Sequence, residues 1–286
     1  MIINKSIISD CSGNDIRVSS ANNYESKANF NFFSAKYVHS GEEFYYLNNR
    51  KYEISLGEYV VGNSNTEGSI FIDSVKPVTG ICIDITQEKI TDVIDFTFEE
   101  NASFKKFIFE QEWMVQKYDA GNTNLGYAIN QIAAKFNELN TWQNYFNDEI
   151  FYSISECIVT DQKNVFKQYQ SLKSVKEETN GRLFNFIYDA KNYIDAHFLD
   201  KINIDQIATA SKLSQYHFIR VFKNVFGISP YQYILKKRLE FAKMLLLEGI
   251  EIIDITYQTG FSNPANFSKA FKMQFNKSPK NFLNGN

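Results

Sequence analysis

The sequence predicts a two-domain α+β chain. An antiparallel β-sandwich or barrel with attached helices comes first, followed by an all-α domain built on two helix-turn-helix units. Three observations carry this. Short strand-like segments fill roughly the first 120 residues, the apolar period then changes to a helical one, and a motif near the C-terminus occurs twice at a fixed offset. At 286 residues, 44% hydrophobic and 22% charged, the chain holds apolar material for two cores.

The strand candidates are Phe30–Val38, Glu43–Leu47, Lys51–Ile54, Glu58–Val61, Ser69–Ile72 and Thr79–Ile85, all rich in Phe, Tyr, Val and Ile. Turn signals separate them at His39-Ser40-Gly41, Asn48-Asn49, Leu56-Gly57, Gly62-Asn63 and Lys76-Pro77. From about Asn124 the period is helical, through Leu125, Ile129, Ile132, Ala133, Phe136 and Leu139, and Tyr145–Val159 and Asn164–Leu172 continue it. Lys173–Gly181 is polar and charged and reads as a linker. The expected domains are therefore 1–172 and 183–286, with a linker at 173–182.

Beyond the linker every segment reads as helix. Leu183–Phe198 carries apolar residues at 183, 186, 187, 190, 194 and 198. Asn203, with Gln206 three residues on, is a capping-box start for Ile204–Ser211. Ser214 caps Gln215–Phe226, which stops at Gly227. Ser229-Pro230 opens a long helix to about Glu248, the proline standing where its missing N–H costs nothing.

The net charge of −3 is unevenly shared. Residues 1–181 carry 16 Lys+Arg against 25 Asp+Glu, and residues 182–286 carry 14 against 8. A basic C-terminal third suits a polyanionic partner. The three cysteines, Cys11, Cys82 and Cys157, are scattered and odd in number, which argues against a disulfide framework and fits a reducing cytoplasm. No apolar run is long enough to span a bilayer, and the N-terminus has no secretory pattern, so the expectation is a cytoplasmic chain without a membrane partner.

The repeat decides the C-terminal reading. Phe218-Ile-Arg-Val-Phe222-Lys223, followed by Phe226-Gly-Ile-Ser229-Pro230, recurs as Phe267-Ser-Lys-Ala-Phe271-Lys272, followed by Phe275-Asn-Lys-Ser278-Pro279. The offset is 49, and Tyr233 matches Phe282. Upstream, Ile207-Ala208 matches Ile255-Thr256 at an offset of 48, which puts one extra residue in or just after the second turn. Two copies are too few for a solenoid and fit paired helix-turn-helix units. Ile207, Leu213, Phe218, Val221 and Phe222 are the expected core of the first, and Ile255, Phe261, Phe267, Ala270 and Phe271 of the second. Gln215, Tyr216, Ile219, Arg220 and Lys223 then face outward, as do Ala265, Asn266, Ser268, Lys269 and Lys272. Amide, hydroxyl and cationic groups on one helix face suit base edges and phosphates in a major groove.

These residues resemble the AraC/XylS transcriptional regulators from about Asn203 to Leu283. The match includes Leu213-Ser214, Arg220-Val-Phe222-Lys223, Gly227-Ile-Ser229-Pro230, Arg238-Leu239, Gly260-Phe261, Phe271-Lys272 and Ser278-Pro279. The resemblance implies a seven-helix domain with two reading helices, joined by a long helix, in successive major-groove segments of promoter DNA. It implies reading by Tyr216, Ile219 and Arg220, then by Ala265, Asn266, Ser268 and Lys269, with Lys223 near phosphate. Arg238 looks like the family's arginine on the linking helix, which is structural or touches backbone. It further implies a homodimer, a small-molecule effector, and RNA polymerase as partner if the chain activates. Three positions depart from the pattern: Thr256 where a small Ala is usual, Asn276 for Gly, and Glu251 as a poorer cap than Asn203.

For the N-terminal half the resemblance is to a cupin-like fold, looser, and rests on strand rhythm and Leu56-Gly57-Glu58. His39 is the lone histidine of this half and reads as a turn residue, so neither metal nor other cofactor is expected. Phe30, Phe32, Phe33, Tyr37, Phe44, Tyr45, Tyr46 and Trp113 either line an effector pocket or form barrel core. Segments 125–140 and 145–172 either pair two protomers or cover the barrel, and Cys82 reads as a small buried hydrophobe. Two rival functions have weaker support. A sugar-binding sensor would want neutral or acidic reading faces. An alkyl-transfer repair enzyme would want a reactive cysteine in a Pro-Cys-His context, which Cys11, Cys82 and Cys157 lack. An enzyme is not expected.

Overall fold

A computed structural model describes residues 3–98, 101–111, 115–135, 149–172, 177–210 and 212–283. The chain forms two compact units, Met1–Lys167 and Gln168–Asn286.

In the first unit eight strands form one sheet whose pairings are all antiparallel: β1 (Ile3–Ser9), β2 (Asp15–Lys27), β3 (Phe33–Ser40), β4 (Glu42–Leu47), β5 (Arg50–Ser55), β6 (Glu58–Gly62), β7 (Gly68–Ile85) and β8 (Gln116–Asp119). The long β7 organises it. Its first half pairs with β2 and β4, its second with β2 and β3, so the sheet curls around one apolar cluster that includes Val38, Leu47, Ile54 and Val60. The β4–β5 turn has Asn48 and Asn49 at φ 48° and 64°, the double left-handed arrangement that two-residue hairpins prefer and that Asn tolerates.

Several elements differ from the sequence expectation. Lys76-Pro77 lies within β7 and is not a turn. Proline cannot donate to a ladder, and it sits where the β2 register shifts between Ala21 and Asn23. His39 lies in β3 and not in the turn, which is made at Gly41 (φ 82°). Strands β1 and β2 lie in the region expected to be strand-rich, though not among its named candidates, whereas α1 (Gln87–Thr97) and α2 (Ala102–Glu110) are helices within it. β2 is Ser- and Asn-rich yet buries Ile16, Val18 and Ala21. The Thr86 hydroxyl caps α1, which buries Ile90, Val93 and Ile94 at helical spacing. Further on, α3 (Asn124–Ala134) buries Leu125, Ile129 and Ile132, and α4 (Glu149–Gln170) buries Phe151, Ile154, Ile158 and Val165. Phe136, Leu139 and Tyr145 lie outside the described residues.

The second unit has seven helices among the described residues: α5 (Glu177–His197), α6 (Ile204–Ala210), α7 (Gln215–Phe226), α8 (Pro230–Leu247), α9 (Ile252–Gln258), α10 (Pro264–Phe275) and α11 (Pro279–Leu283). The segment expected as linker is helical from Glu177, while 173–176 lie outside the described residues. α5 is tied to α8 through Asp195, which accepts from Tyr233 at 2.8 Å and Lys191 at 2.6 Å.

Candidate nucleic-acid interface and barrel cavity

The sequence repeat is a repeat in space. Ring centroids stand 5.7 Å apart for Phe218–Phe222 and 5.6 Å for Phe267–Phe271, with 4.6 Å for Phe222–Phe226 and 4.5 Å for Phe271–Phe275. Both Phe222–Tyr233 and Phe271–Phe282 are 5.7 Å. Backbone turns match as well. Leu213 N–H donates to Ala208 O at 3.1 Å and Phe261 N–H to Thr256 O at 3.0 Å, closing α6 and α9 with the same left-handed residue, Lys212 (φ 58°) or Gly260 (φ 75°). Ser214 accepts from His217 N–H at the start of α7, and Asn263 from Asn266 N–H at the start of α10. The offset is 48 up to Phe261 and 49 from Asn263, so the extra residue is Ser262.

The three departures resolve physically. Thr256 is fully buried, and its hydroxyl donates to Ile252 O at 2.7 Å, so its polar atom is satisfied within α9. Asn276 takes the left-handed conformation (φ 59°) that Gly227 takes in the first helix-turn-helix. Glu251 makes no side-chain cap bond, whereas Asn203 Oδ1 accepts from Asp205 and Gln206 N–H at 3.0 and 3.4 Å.

The helices α7 and α10 each therefore turn one face into an aromatic core and the other outward. On α7, Phe218, Val221, Phe222 and Val225 are buried. Gln215, Tyr216, Arg220 and Lys223 are exposed, with Ile219 half-buried beside them. On α10, Phe267 and Phe271 are buried, Ala265, Asn266, Lys269 and Lys272 are exposed, and Ser268 is half-buried. Ile207, Leu213, Phe261 and Ala270, expected in the cores, are half-buried. Neither helix contains a carboxylate, and among the described residues Arg220, Lys223, Lys269 and Lys272 make no ion pair. Two amides already have partners. Gln215 Nε2 donates to the Tyr231 hydroxyl at 3.2 Å, and Asn266 Nδ2 to Ser262 Oγ at 3.1 Å. Asn224 and Met273, again 49 apart, are also exposed on these helices. They stand one residue beyond Lys223 and Lys272, where the expected outward set stops.

Arg238 stands apart from both stripes. Its Nε donates to Phe198 O at 2.7 Å and Nη2 to Asp200 O at 2.9 Å, clamping the α5–α6 connection to α8. Nη1 lies 2.7 Å from where a Cβ on Gly260 would sit, so a side chain there would displace the guanidinium.

The first unit holds a different kind of site. The register sets Arg17, Cys82 and Lys36 side by side across β2, β7 and β3, with Asp15, Asp84 and Ser34 in the next such row. Asp84 accepts from Arg17, Ser34 and Lys36 (3.3 Å for the last). Arg17, Lys36 and Cys82 wall a cavity of about 160 Å³ that Glu43, Tyr45, Tyr24 and Ile72 also line. Buried Arg17 Nε has no hydrogen-bond partner among the described residues, with Asp15 Oδ2 3.4 Å away. Cys82 faces the cavity among charges and is not an apolar filler, and burial pushes its thiol pKa up. Of the aromatic residues weighed for a pocket, Tyr45 lines it. Phe30, Phe33 and Tyr37 are buried, Phe32 and Tyr46 are exposed, Phe44 is half-buried, and Trp113 lies outside the described residues.

Glu43 is buried, and burial pushes its carboxyl pKa up, against the Tyr45 hydroxyl it accepts from (2.6 Å) and the nearby Lys36. A carboxyl with a raised folded pKa holds its proton more tightly folded than unfolded. Stability is therefore greatest at low pH and declines as pH climbs from the ordinary carboxylate value through the raised one. Glu43→Gln keeps the acceptor and removes the charge. It is expected to raise Tm by roughly 2–4 °C near neutral pH and hardly at all in acid. Equal gains at both pH values in a thermal melt would exclude charge burial as the cause.

A helix-turn-helix domain family matches residues 207–285. The chain is 42% identical over 82 residues to the "Probable transcription factor PqrA" of Proteus vulgaris, covering 28% of this chain and 67% of that protein. It is 34% identical over 114 residues to the "Probable transcriptional regulator LumQ" of Photobacterium leiognathi, covering 40% of this chain and 45% of LumQ, so it spans less than half of that relative. Among solved structures it is similar to unsaturated fatty acid bound ToxT from Vibrio cholerae, at 14% identity and a TM-score of 0.39, covering 99% of this chain and 97% of that one.

Proposed function

Because the chain belongs to the AraC-type family of helix-turn-helix transcriptional regulators, we propose that it is a sequence-specific regulator of promoters, governed by a signal acting on its first unit. The observation that carries this reading is the pair of exposed, carboxylate-free faces on α7 and α10, each backed by the same aromatic cluster. In the proposal Gln215, Tyr216, Ile219 and Arg220 on α7, and Ala265, Asn266, Ser268 and Lys269 on α10, meet base edges. Lys223 and Lys272, one turn from the C-terminal ends, meet phosphates, and Arg238 keeps the connection to α6 in place.

The first unit is proposed as a cupin-like sensor that takes a small polar molecule in the cavity beside Arg17, Lys36 and Glu43. The buried Arg17 Nε without a hydrogen-bond partner supports this. Dimerisation through the first unit rests on the family resemblance and on the gain in effective concentration at a tandem site. RNA polymerase is the further partner if the chain activates. A cytoplasmic location fits three free cysteines and described helices of which none is long and apolar enough to cross a membrane.

The test is a comparison of two variants on a promoter duplex recovered by genome-wide mapping of bound sites. Arg220→Ala is expected to weaken specific binding by roughly 1–3 kcal/mol and to relax preference at one or two base pairs. Lys272→Ala should lower affinity for every sequence alike and shallow the salt dependence by about one counterion. Unchanged base preference in the first variant, or an unchanged salt slope in the second, removes that residue from its assigned role.

A further inference from the structure

Between the two reading helices the second unit has a groove of about 340 Å³ that no part of the base-reading scheme uses. Its floor is apolar, formed by Ile202, Ile234, Leu235 and Phe261. Lys201, Tyr231 and Arg238 add two cations and a phenol. Lys201 is exposed and makes no ion pair among the described residues. Arg238 is held from behind by two backbone carbonyls, which leaves Nη1 directed at Gly260, and the missing Cβ there keeps that donor uncovered.

The position of the groove identifies its occupant. Tyr231 is bonded to Gln215, the first residue of α7, and Phe261 precedes Asn263, the cap of α10, by two residues. The groove therefore opens beside the N-terminal ends of both reading helices, the ends that enter major grooves. Two successive major-groove segments on one face of a duplex are separated by sugar–phosphate backbone flanking a minor groove. We propose that this groove seats that intervening backbone, with Lys201 and Arg238 Nη1 on a phosphate and the deoxyribose against Tyr231 and Leu235. The inference rests on the DNA-binding reading and adds to it a site that contacts no base. Its consequence is a fixed spacing between the two half-sites, because the backbone between them is held as well as the bases at either end.

The experiment uses the full chain and a duplex enriched by it from a random library, with single phosphates between the half-sites replaced by uncharged methylphosphonate. One or two central replacements are expected to weaken wild-type binding roughly fivefold at moderate salt. The same replacements should cost Lys201→Ala less, about twofold, since Arg238 alone then faces the phosphate. Leu235→Glu places a carboxylate at a position already 40% exposed, where the fold accepts it. It should weaken binding to the natural duplex and be partly rescued by the neutral linkage, because repulsion is then relieved. Central linkages that can be neutralised without loss, or a Leu235→Glu variant that no neutral linkage rescues, overturn the proposal, as would a groove that instead takes a free amphipathic anion without competition from DNA. Failure to enrich any sequence would overturn the DNA-binding reading itself, and is distinguishable from those results.

Discussion

Phe271→Ala is expected to destabilise the second helix-turn-helix unit by about 3–5 kcal/mol and to leave the first standing. Phe271 is fully buried and meets Phe267, Phe275 and Phe282 with ring centroids 4.5–5.7 Å apart. Removing the central ring of that cluster leaves a cavity bordered by aromatic faces that cannot collapse together without moving α10 or α11. The first helix-turn-helix has its own cluster around Phe222 and shares none of these rings. The variant should therefore keep protection of the half-site that α7 contacts and lose the other half in a footprint, while the thermal melt shows a lower first transition. Loss of both halves together would mean that the two units fold as one cooperative body. Phe222→Ala supplies the mirror experiment, with the opposite half-site lost.

Asp84→Ala is the second large effect, at the other end of the chain. Asp84 is nearly fully buried and accepts from Arg17, Ser34 and Lys36, the last with a side chain only 7% exposed. Without the carboxylate two cations face each other across the cavity wall. Breaking a buried pair in this way costs about 3–5 kcal/mol, and the lower end applies here because Arg17 is about a quarter exposed. Replacing all three by apolar residues of similar volume should recover most of the loss, since no charge is then stranded. Denaturant unfolding of the three proteins checks both statements. A single variant as stable as the parent would show that water already satisfies Arg17 and Lys36.

The second unit was legible because its physics is local and stated twice. Phe218, Phe222, Phe226 and Tyr233 recur 49 residues on as Phe267, Phe271, Phe275 and Phe282, and a chain that repeats its core repeats the faces opposite it. Caps and stops at Asn203, Ser214, Gly227 and Ser229 are single-residue signals with one physical meaning each. The first unit was less legible because its determinants are far apart. Arg17, Lys36 and Asp84 come together through the register of three strands although they stand 19 to 67 residues apart, which no window of sequence displays. β2 hid behind Ser and Asn on its outward positions, and α1 behind β-branched Ile and Val that read as strand. Arg238 was ambiguous because an arginine on a helix looks the same whether it reaches for phosphate or for the carbonyls of Phe198 and Asp200.

The bond between Asn266 and the inserted Ser262 bears on how strictly promoters are chosen. A reading amide discriminates hardest when a wrong base leaves it buried with nothing to bond, because that stranded group is what a mismatch costs. Asn266 has a standing alternative within its own helix start, so a base that offers no partner merely returns it to the serine. The first helix-turn-helix has no inserted residue; on α7 Gln215 has a comparable alternative in the Tyr231 hydroxyl, but Arg220 has none among the described residues. Base pairs met by Arg220 should accordingly be near-invariant and those met by Asn266 or Gln215 degenerate, letting one regulator serve a set of promoters that agree at some positions and drift at others.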